Sequence, residues 1–437
     1  MTRARAFTTV LVVWVISLGA IALAAMQAGA FRGGAAGRES MARVRAYWAA
    51  RAGVEEAIAR LARDAEDPDE SDAMRLYSEF EDAAEGVLEG SSWTVGHSVR
   101  GQAGVLLGPQ DAHSKLNINT MTQEALLKLP FMTDDVAGSI LDWTDSDDDV
   151  RLPIGAEVGQ YQSLAYPYEP RNAPMRDIQE LELVSGVLPD YVRGEDGNLN
   201  DRLDSEEDDG DATWPTDNHN GKLDSGWAGV LTASSIDGDL GPGAKPRTVL
   251  RGTRASDLVA ALGINESQAR VISTHASAPS AKLSDFVRQD LNRIPSETGN
   301  QPIDARAPAL TRDQLTKLLG QFVMEEPEIG APGRLNLNTC PAEVLEYAPG
   351  ISAAAADALI SERQARATGF ASLAQLLDVP GVSREQAARL IDLGEVRSNV
   401  FIVNSVGTDE RTGVRVELTA TIDRSTLPVL IREVYIR

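Results

Sequence analysis

The sequence predicts an α+β protein: a long N-terminal helix, an antiparallel sheet drawn from both ends of the chain, and a large α-helical domain inserted between them. Three observations carry this. Phe7 to Met26 has no charged residue, and helix-favouring sequence continues through Asp64. Short apolar runs of strand type occur around Trp93 and again beyond Phe401. Between them, Leu116-Asn117-Ile118-Asn119-Thr120 returns as Leu335-Asn336-Leu337-Asn338-Thr339, each copy followed by apolar residues at helical spacing.

At 437 residues the chain holds two or three domains. Its net charge of −24, with 65 acidic against 41 basic residues, argues against a polyanionic partner, because grip on phosphates comes from Lys and Arg. The lone Cys340 excludes an internal disulfide and decides no compartment.

The N-terminal apolar run follows Arg3 and Arg5. About 20 such residues span a bilayer core, and the flanking arginines favour a cytoplasmic start. A cleaved secretory signal is the rival, with Ala28-Gly29-Ala30 as its small-residue site. Against it, the run is long for a signal core. Val44, Tyr47, Trp48, Val54, Ile58 and Leu61 also continue at helical spacing, which makes the second half of one long helix amphipathic.

An acidic, irregular span from Glu66 to Glu89 precedes two short strands, Trp93-Thr94-Val95 and Val105-Leu106-Leu107, with Gly101 between them. At the far end, Phe401-Ile402-Val403, the alternating Val414 to Ile422 and Val429 to Ile436 read as antiparallel strands.

Each copy of the repeated motif reads as a helix-hairpin-helix. Leu126, Pro130, Val136 and Ile140 in the first match Leu345, Pro349, Ala355 and Leu359 in the second. Thr120 and Thr339 suit N-caps, with Gln123 and Glu343 near the capping-box position. Pro349-Gly350-Ile351-Ser352 supplies a tight hairpin and a cap; the first copy has Pro130-Phe131-Met132-Thr133 and lacks the Gly. Leu262-Gly263-Ile264-Asn265 and Val379-Pro380-Gly381-Val382-Ser383 are shorter echoes. Pro246 to Leu262 and Leu310 to Val323 read as core helices, and Pro295 to Pro308 as a connector.

Such hairpins are either packing modules or binders of nucleic-acid backbone. Here Arg334, Arg363, Arg366, Arg384 and Arg389 face Glu343, Glu346, Asp357, Glu362, Asp378, Glu385 and Asp392, with no Lys, so packing is the better reading and no nucleic acid is expected.

The sharpest local pattern runs from Asp196 to Glu207. Counting Asp196 as one, Asp196, Asn198, Asn200, Asp204 and Glu207 place oxygens at one, three, five, nine and twelve, and Arg202 offers its carbonyl at seven. That is calcium-loop spacing. Asp201 stands where Gly is usual, and Asp tolerates the left-handed turn. Asn218, Asn220, Gly221 and Asp224 repeat part of it, with Thr216 first, Trp227 last and Asp217 as a substitute ligand. The bland alternative is a solvated acidic loop. A further cluster, Asp142, Asp145, Asp147, Asp148 and Asp149, reads as a charged helix end sooner than as another calcium site.

No catalytic constellation is present. His97, His113, His219 and His275 lack metal spacing and read as surface or loop residues; Cys340, at a helix start, reads as a buried filler sooner than as a nucleophile of lowered pKa.

The Leu-Asn-Ile-Asn motif after Lys115, Ile140-Leu141-Asp142-Trp143-Thr144-Asp145-Ser146-Asp147-Asp148, the Tyr161 to Tyr168 stretch and Arg171-Asn172-Ala173-Pro174 through Val187, in that order, resemble the type II secretion system protein K family of minor pseudopilins. The second hairpin fits too. The resemblance implies a pilin-like helix-plus-sheet body with a helical domain of the SAM-like, helix-hairpin-helix kind, divided as leader 1–6, helix 7–65, first sheet part 66–114, inserted domain 115–395 and closing strands 396–437. It implies cleavage by a prepilin peptidase, here at Ala6/Phe7, where Ala replaces the usual Gly. Leu11 stands at the fifth mature position, where most pilin-like subunits carry Glu. The resemblance further implies a non-enzymatic, calcium-binding subunit at the pseudopilus tip, single-pass in the inner membrane with its bulk in the periplasm, partnered by other minor pseudopilins. A membrane-tethered DNA-uptake protein built on the hairpins is the alternative.

Overall fold

The computed structural model describes residues 2–151, 154–238, 240–241, 245–296, 301–326, 328 and 330–436, with residues 2–6 in backbone only. The expected leader 1–6 and its Ala6/Phe7 junction therefore lie outside the residues described in full.

One helix, Thr2–Glu66, runs for 65 residues. At about 1.5 Å per residue this is a rod of roughly 100 Å. From Phe7 it is long and apolar enough to cross a membrane, and its most apolar window is wholly unburied. Its lower half packs on a sheet through small residues. Ala42, Ala46, Ala49, Ala50, Val54, Ala57 and Leu61 are buried, whereas Val44 and Trp48 on the other side are exposed. Ala at these positions keeps helix propensity high and lets the backbone come close.

The sheet has seven strands, in the order Glu85–Leu88, Ser91–His97, Val400–Asp409, Arg415–Asp423, Leu430–Ile436, with Leu106–Leu107 paired on Ser91–His97 and Gln110–Asp111 on Val400–Asp409. The long central strand Val400–Asp409 thus joins the two ends of the chain, with strands from the N-terminal part on one side and Arg415–Asp423 on the other, Val406 lying opposite Thr94 and Val403 opposite Ala420. Alternation decides which side faces the helix: Phe401, Val403, Leu418, Ala420 and Ile422 join Val54, Leu61, Phe80 and Val95 in one core. Ion pairs fix the rod at two heights, Arg45 to Asp409 at 2.6 Å and Asp64 to Arg424. The span read as irregular contains a helix, Arg75–Asp82, whose Leu76 and Phe80 reach this core.

Between Asp111 and Val400 the regular structure is mainly short helices, and the chain forms three units. Each is closed by a two-residue parallel bridge: Leu116–Asn117 with Leu231–Thr232, Thr248–Val249 with Phe322–Val323, and Leu335–Asn336 with Gly394–Glu395. The middle unit has a separate core around Leu258, Ile272, Phe286 and Leu318, while the outer two share one. The two stretches expected as helices are therefore shorter, Ala255–Leu262 and Arg312–Gln321, because their ends are taken up by the closing bridge.

The repeated motif works through its asparagines. Asn117 and Asn336 accept from the amides of Asn119 and Asn338 at 3.0 and 2.9 Å, turning the chain. Asn119 then pairs with both backbone groups of Met175, and Asn338 with both of Phe370, each as if adding a strand. The expected caps are corrected. Thr122 caps the first helix, Pro341 precedes the second without a side-chain cap, and Thr120 and Thr339 bond elsewhere, to Asn117 O and Asp111. Ser352 does cap the helix after the second hairpin, and Gly350 has φ 69°. Phe131, in the hairpin without Gly, takes φ 62° and stacks on Tyr191.

Gly407 lies where the rod touches the sheet, and a Cβ there would collide with the backbone of Ala46 and Ala50. Gly407→Ala is expected to destabilise by about 1–3 kcal/mol, read as a lower thermal midpoint. Gly159→Ala, in the helix Val158–Gln162 where the methyl meets open space, is expected to leave the midpoint unlowered or slightly raised.

Candidate metal centre

The first acidic loop leaves the helix Pro189–Arg193 and ends in the turn Ser205–Glu207. Asp196 lies at its centre, 1% exposed. Its Oδ1 accepts from Asn200 N at 3.0 Å and its Oδ2 from Asp201 N at 2.9 Å. Asp201 has φ 52°, the left-handed turn its position calls for. Asn198 and Asn200 both donate to Asp204 Oδ2, at 2.9 and 3.0 Å, and Asn200 Oδ1 accepts from Arg202 N at 2.8 Å. Glu207 accepts from Asp204 N at 3.1 Å and from the amides of Gly197 and Asn198. Asp196, Asn198, Asn200, Arg202, Asp204 and Glu207 thus share one turn of chain.

The electrostatics suit a cation. Burial, and then the charges of Asp201 and Glu207, push Asp196 up to about 8, and burial raises Glu207. A buried oxygen-rich set whose carboxylates repel one another gains from a hard divalent ion. The residues present fit calcium.

The second loop repeats these bonds. Asn218 and Asn220 donate to Asp224 Oδ2 at 2.8 and 3.2 Å, and Asn220 Oδ1 accepts from Lys222 N at 2.8 Å. Its ends are not those expected from spacing. Trp227 is a core residue that donates to Pro130 O at 2.9 Å, and Thr216 is exposed. Glu195 instead accepts from Asn218 N and Asp224 N, at 3.1 and 3.0 Å, as Glu207 does from Asp204 N. Asp208 accepts from Gly221 N at 3.0 Å, as Asp196 does from Asp201 N. The residues flanking the first loop complete the second, which sequence spacing missed because they precede it. Asp217 ties Asp209 N and Gly210 N at 2.9 and 2.8 Å, and ligand atoms of Asp208, Asp217 and His219 lie within 4.8 Å of one another.

The third acidic cluster is more than a charged helix end. Asp142 is wholly buried and accepts from Arg151 N at 3.3 Å, while Arg151 pairs with Asp145 at 2.9 Å. Glu157, 4% exposed and too far along the chain to be grouped with it by sequence, joins the cluster. Its carboxylate oxygens find no donor among the described residues, and burial, followed by the charges of Asp142 and Asp145, raises it to about 7. Oxygens of Asp145, Asp147 and Glu157 lie within 4.8 Å of one another.

The histidines are a correction, since only His219 is exposed. His113 is buried with Nδ1 on Arg334 O at 2.8 Å, His97 has its pKa lowered by burial, and His275 bonds Asp285 at 3.0 Å. Cys340 is fully buried, and burial pushes its thiol up to about 12, so it is a packing residue.

Tyr161 and Tyr168 close over Trp143, with ring centroids 5.3 and 6.4 Å from it, and Tyr161 Oη accepts from Ser185 N at 3.2 Å. One cluster thereby gathers the segments between 140 and 187. No curated protein matches the sequence. In three dimensions the chain is similar to a chain in the crystal structure of the GspK-GspI-GspJ complex from the enterotoxigenic Escherichia coli type 2 secretion system, with TM-score 0.47 and 13% identity over 92% of this chain and 98% of that one. Residues 332–392 match the helix-hairpin-helix motif. Residues 111–194 match the family described as type II secretion system protein K.

Proposed function

We propose that this chain is a minor pseudopilin that caps the tip of the type II secretion pseudopilus and helps to initiate its assembly. The observation that carries the reading is a stretch matching the protein K family, residues 111–194, in a chain that also has an apolar N-terminal helix and an antiparallel sheet. The helix anchors the chain in the inner membrane by a single pass, with the bulk in the periplasm. Its exposed face, with Val44 and Trp48, is the surface offered to neighbouring helices. Leu11 in place of a carboxylate is tolerable only where no subunit above needs its N-terminal amine neutralised within the membrane, which is the situation at a tip. The chain needs no catalytic group for this task.

The DNA-uptake alternative is disfavoured by the state of the hairpin arginines. Arg334 pairs with Asp237 and Glu395, Arg366 with Glu362, Arg384 with Asp290 and Arg389 with Glu385, while Arg363 donates to the carbonyls of Leu337 and Cys340. Phosphate binding would have to break these contacts.

Calcium is part of the reading. Asp196, Asn198, Asn200, Arg202 through its carbonyl, Asp204 and Glu207 would hold one ion; Asn218, Asn220 and Asp224, with Glu195 and Asp208, would hold a second. Bound calcium supplies charge neutralisation and no chemistry. The orphaned carboxylate of Glu157 favours the Asp145, Asp147, Glu157 cluster as a further place for a cation.

Two experiments test this. N-terminal sequencing of the mature protein is expected to start at Phe7, and the full chain in detergent is expected to co-purify with the other minor pseudopilins of its system. A start near Phe31 and no complex would reject the assignment. Calorimetric titration of the full chain with calcium is expected to lose much of its heat in the Asp196→Ala/Asp204→Ala double variant. Calcium at 100 times its Kd should stabilise the wild type by about 2.7 kcal/mol. Equal heats in the two proteins would remove the assignment of the ion to the first loop.

A further inference from the structure

The first acidic loop has two faces. Its carboxylates turn inward, but the backbone of residues 200–203 is held from outside by the sheet. Asp201 O accepts from Ser98 N at 2.6 Å, at the end of strand Ser91–His97. Leu203 N donates to Ser98 Oγ at 3.3 Å. Asn200 O accepts from the side chain of Asn404, a residue of the central strand that is 1% exposed. Lys115, where the chain passes from sheet to helical domain, donates to Asp201 Oδ1 at 2.8 Å and to Ala228 O at 2.8 Å. The second loop holds the same turn of the sheet from its other side, since Gly101 N donates to Leu223 O at 3.1 Å and Ala103 bridges Lys222.

One carboxylate links the two faces. Asp196 holds the amides of Asn200 and Asp201, the residues whose carbonyls meet Asn404 and Ser98. Whatever fixes Asp196 fixes the backbone on which the sheet closes. Repulsion among the inward carboxylates, left without a counter-charge, works against these contacts. Asn404 shows what is at stake, because a buried amide that loses its partner pays for desolvation with nothing in return.

We infer that the first acidic loop is a cation-dependent clasp, through which a bound divalent ion fixes the helical domain against the pilin-like sheet. This rests on the calcium reading above and adds to it a consequence for the protein's own residues. An ion at Asp196, Asp204 and Glu207 rigidifies residues 200–203. The rigid loop then holds Ser98 and Asn404, and the helical domain is locked over the end of the N-terminal rod.

Hydrogen–deuterium exchange of the full chain in detergent, with calcium chloride or with a chelator, tests the clasp beside calorimetry of the same samples. Calcium is expected to slow exchange about tenfold or more in peptides covering residues 98–104 and 199–205, and to leave the helix Ala353–Ala365 unchanged. The Asp196→Ala/Asp204→Ala protein is expected to lose the effect. Asn404→Ala, which alters no proposed ligand, should keep the binding heat while calcium slows residues 98–104 far less. Heat of binding without slower exchange at residues 98–104 in the wild type overturns the clasp and leaves the calcium reading standing. If no heat is seen with the wild type, both fall. The wild-type comparison decides even where a variant fails to fold.

Discussion

The carboxylate of Asp111 is the point on which the architecture turns. It is 5% exposed, and one of its oxygens accepts from Tyr77 Oη, Ser398 Oγ, Thr339 Oγ1 and Asn336 Nδ2 at 2.9, 2.7, 2.6 and 3.1 Å. The other accepts from His113 N at 2.8 Å. Burying an ion without partners costs several kcal/mol, so these donors have to stay together. They come from the helix beside the rod, from the second repeated motif and from the segment just before the central strand. Asp111 itself ends the sheet's first part. The chain leaves the sheet and returns to it at one polar knot, and the helical domain between is inserted without breaking the core beneath.

The knot also explains why the two copies of the motif differ in role. Asn117 turns toward Ser235, within its own surroundings, at 2.9 Å to both the carbonyl and the hydroxyl. Asn336 uses the same amide to reach Ser398 at 2.7 Å and Asp111. One sequence device, a backbone-like amide on a side chain, thus closes one unit in the first case and binds a whole domain to the sheet in the second. Burial adds a further constraint, because Tyr77, wedged against Asp111, has its hydroxyl pKa raised well above the ordinary value and remains a donor at any physiological pH.

Much of this was legible in local sequence and some was not. Helical period, the motif repeat and the alternation of Val416, Leu418, Ala420 and Ile422 depend on neighbours within a few residues, and these yielded the rod, the hairpins and the strands. The helices start two residues beyond the expected caps, because Thr339 spends its hydroxyl on Asp111, more than two hundred positions earlier, a partner no local pattern shows. The middle unit leaves no mark in the sequence, because its closing bridge, Thr248–Val249 with Phe322–Val323, has two residues on each side and no pattern of its own.

The acidic region shows the same limit in sharper form. Calcium-loop spacing assumes that one contiguous segment supplies every position, and the hydrogen bonds of Asp196 to Glu207 do lie within one segment. In the second loop the same hydrogen bonds are made by Glu195 and Asp208, one on each side of the first loop. Counting forward from Thr216 could only arrive at Trp227, which the hydrophobic core had already claimed. The second loop therefore depends on the chain of the first, whose flanking residues supply two of its acceptors. Such an arrangement cannot form piecemeal: the backbone turns that aim Asn218 and Asn220 at Asp224 depend on Glu195, which is held where the first loop begins. Folding of the second loop is thereby coupled to that of the first, through carboxylates that lie outside its own segment.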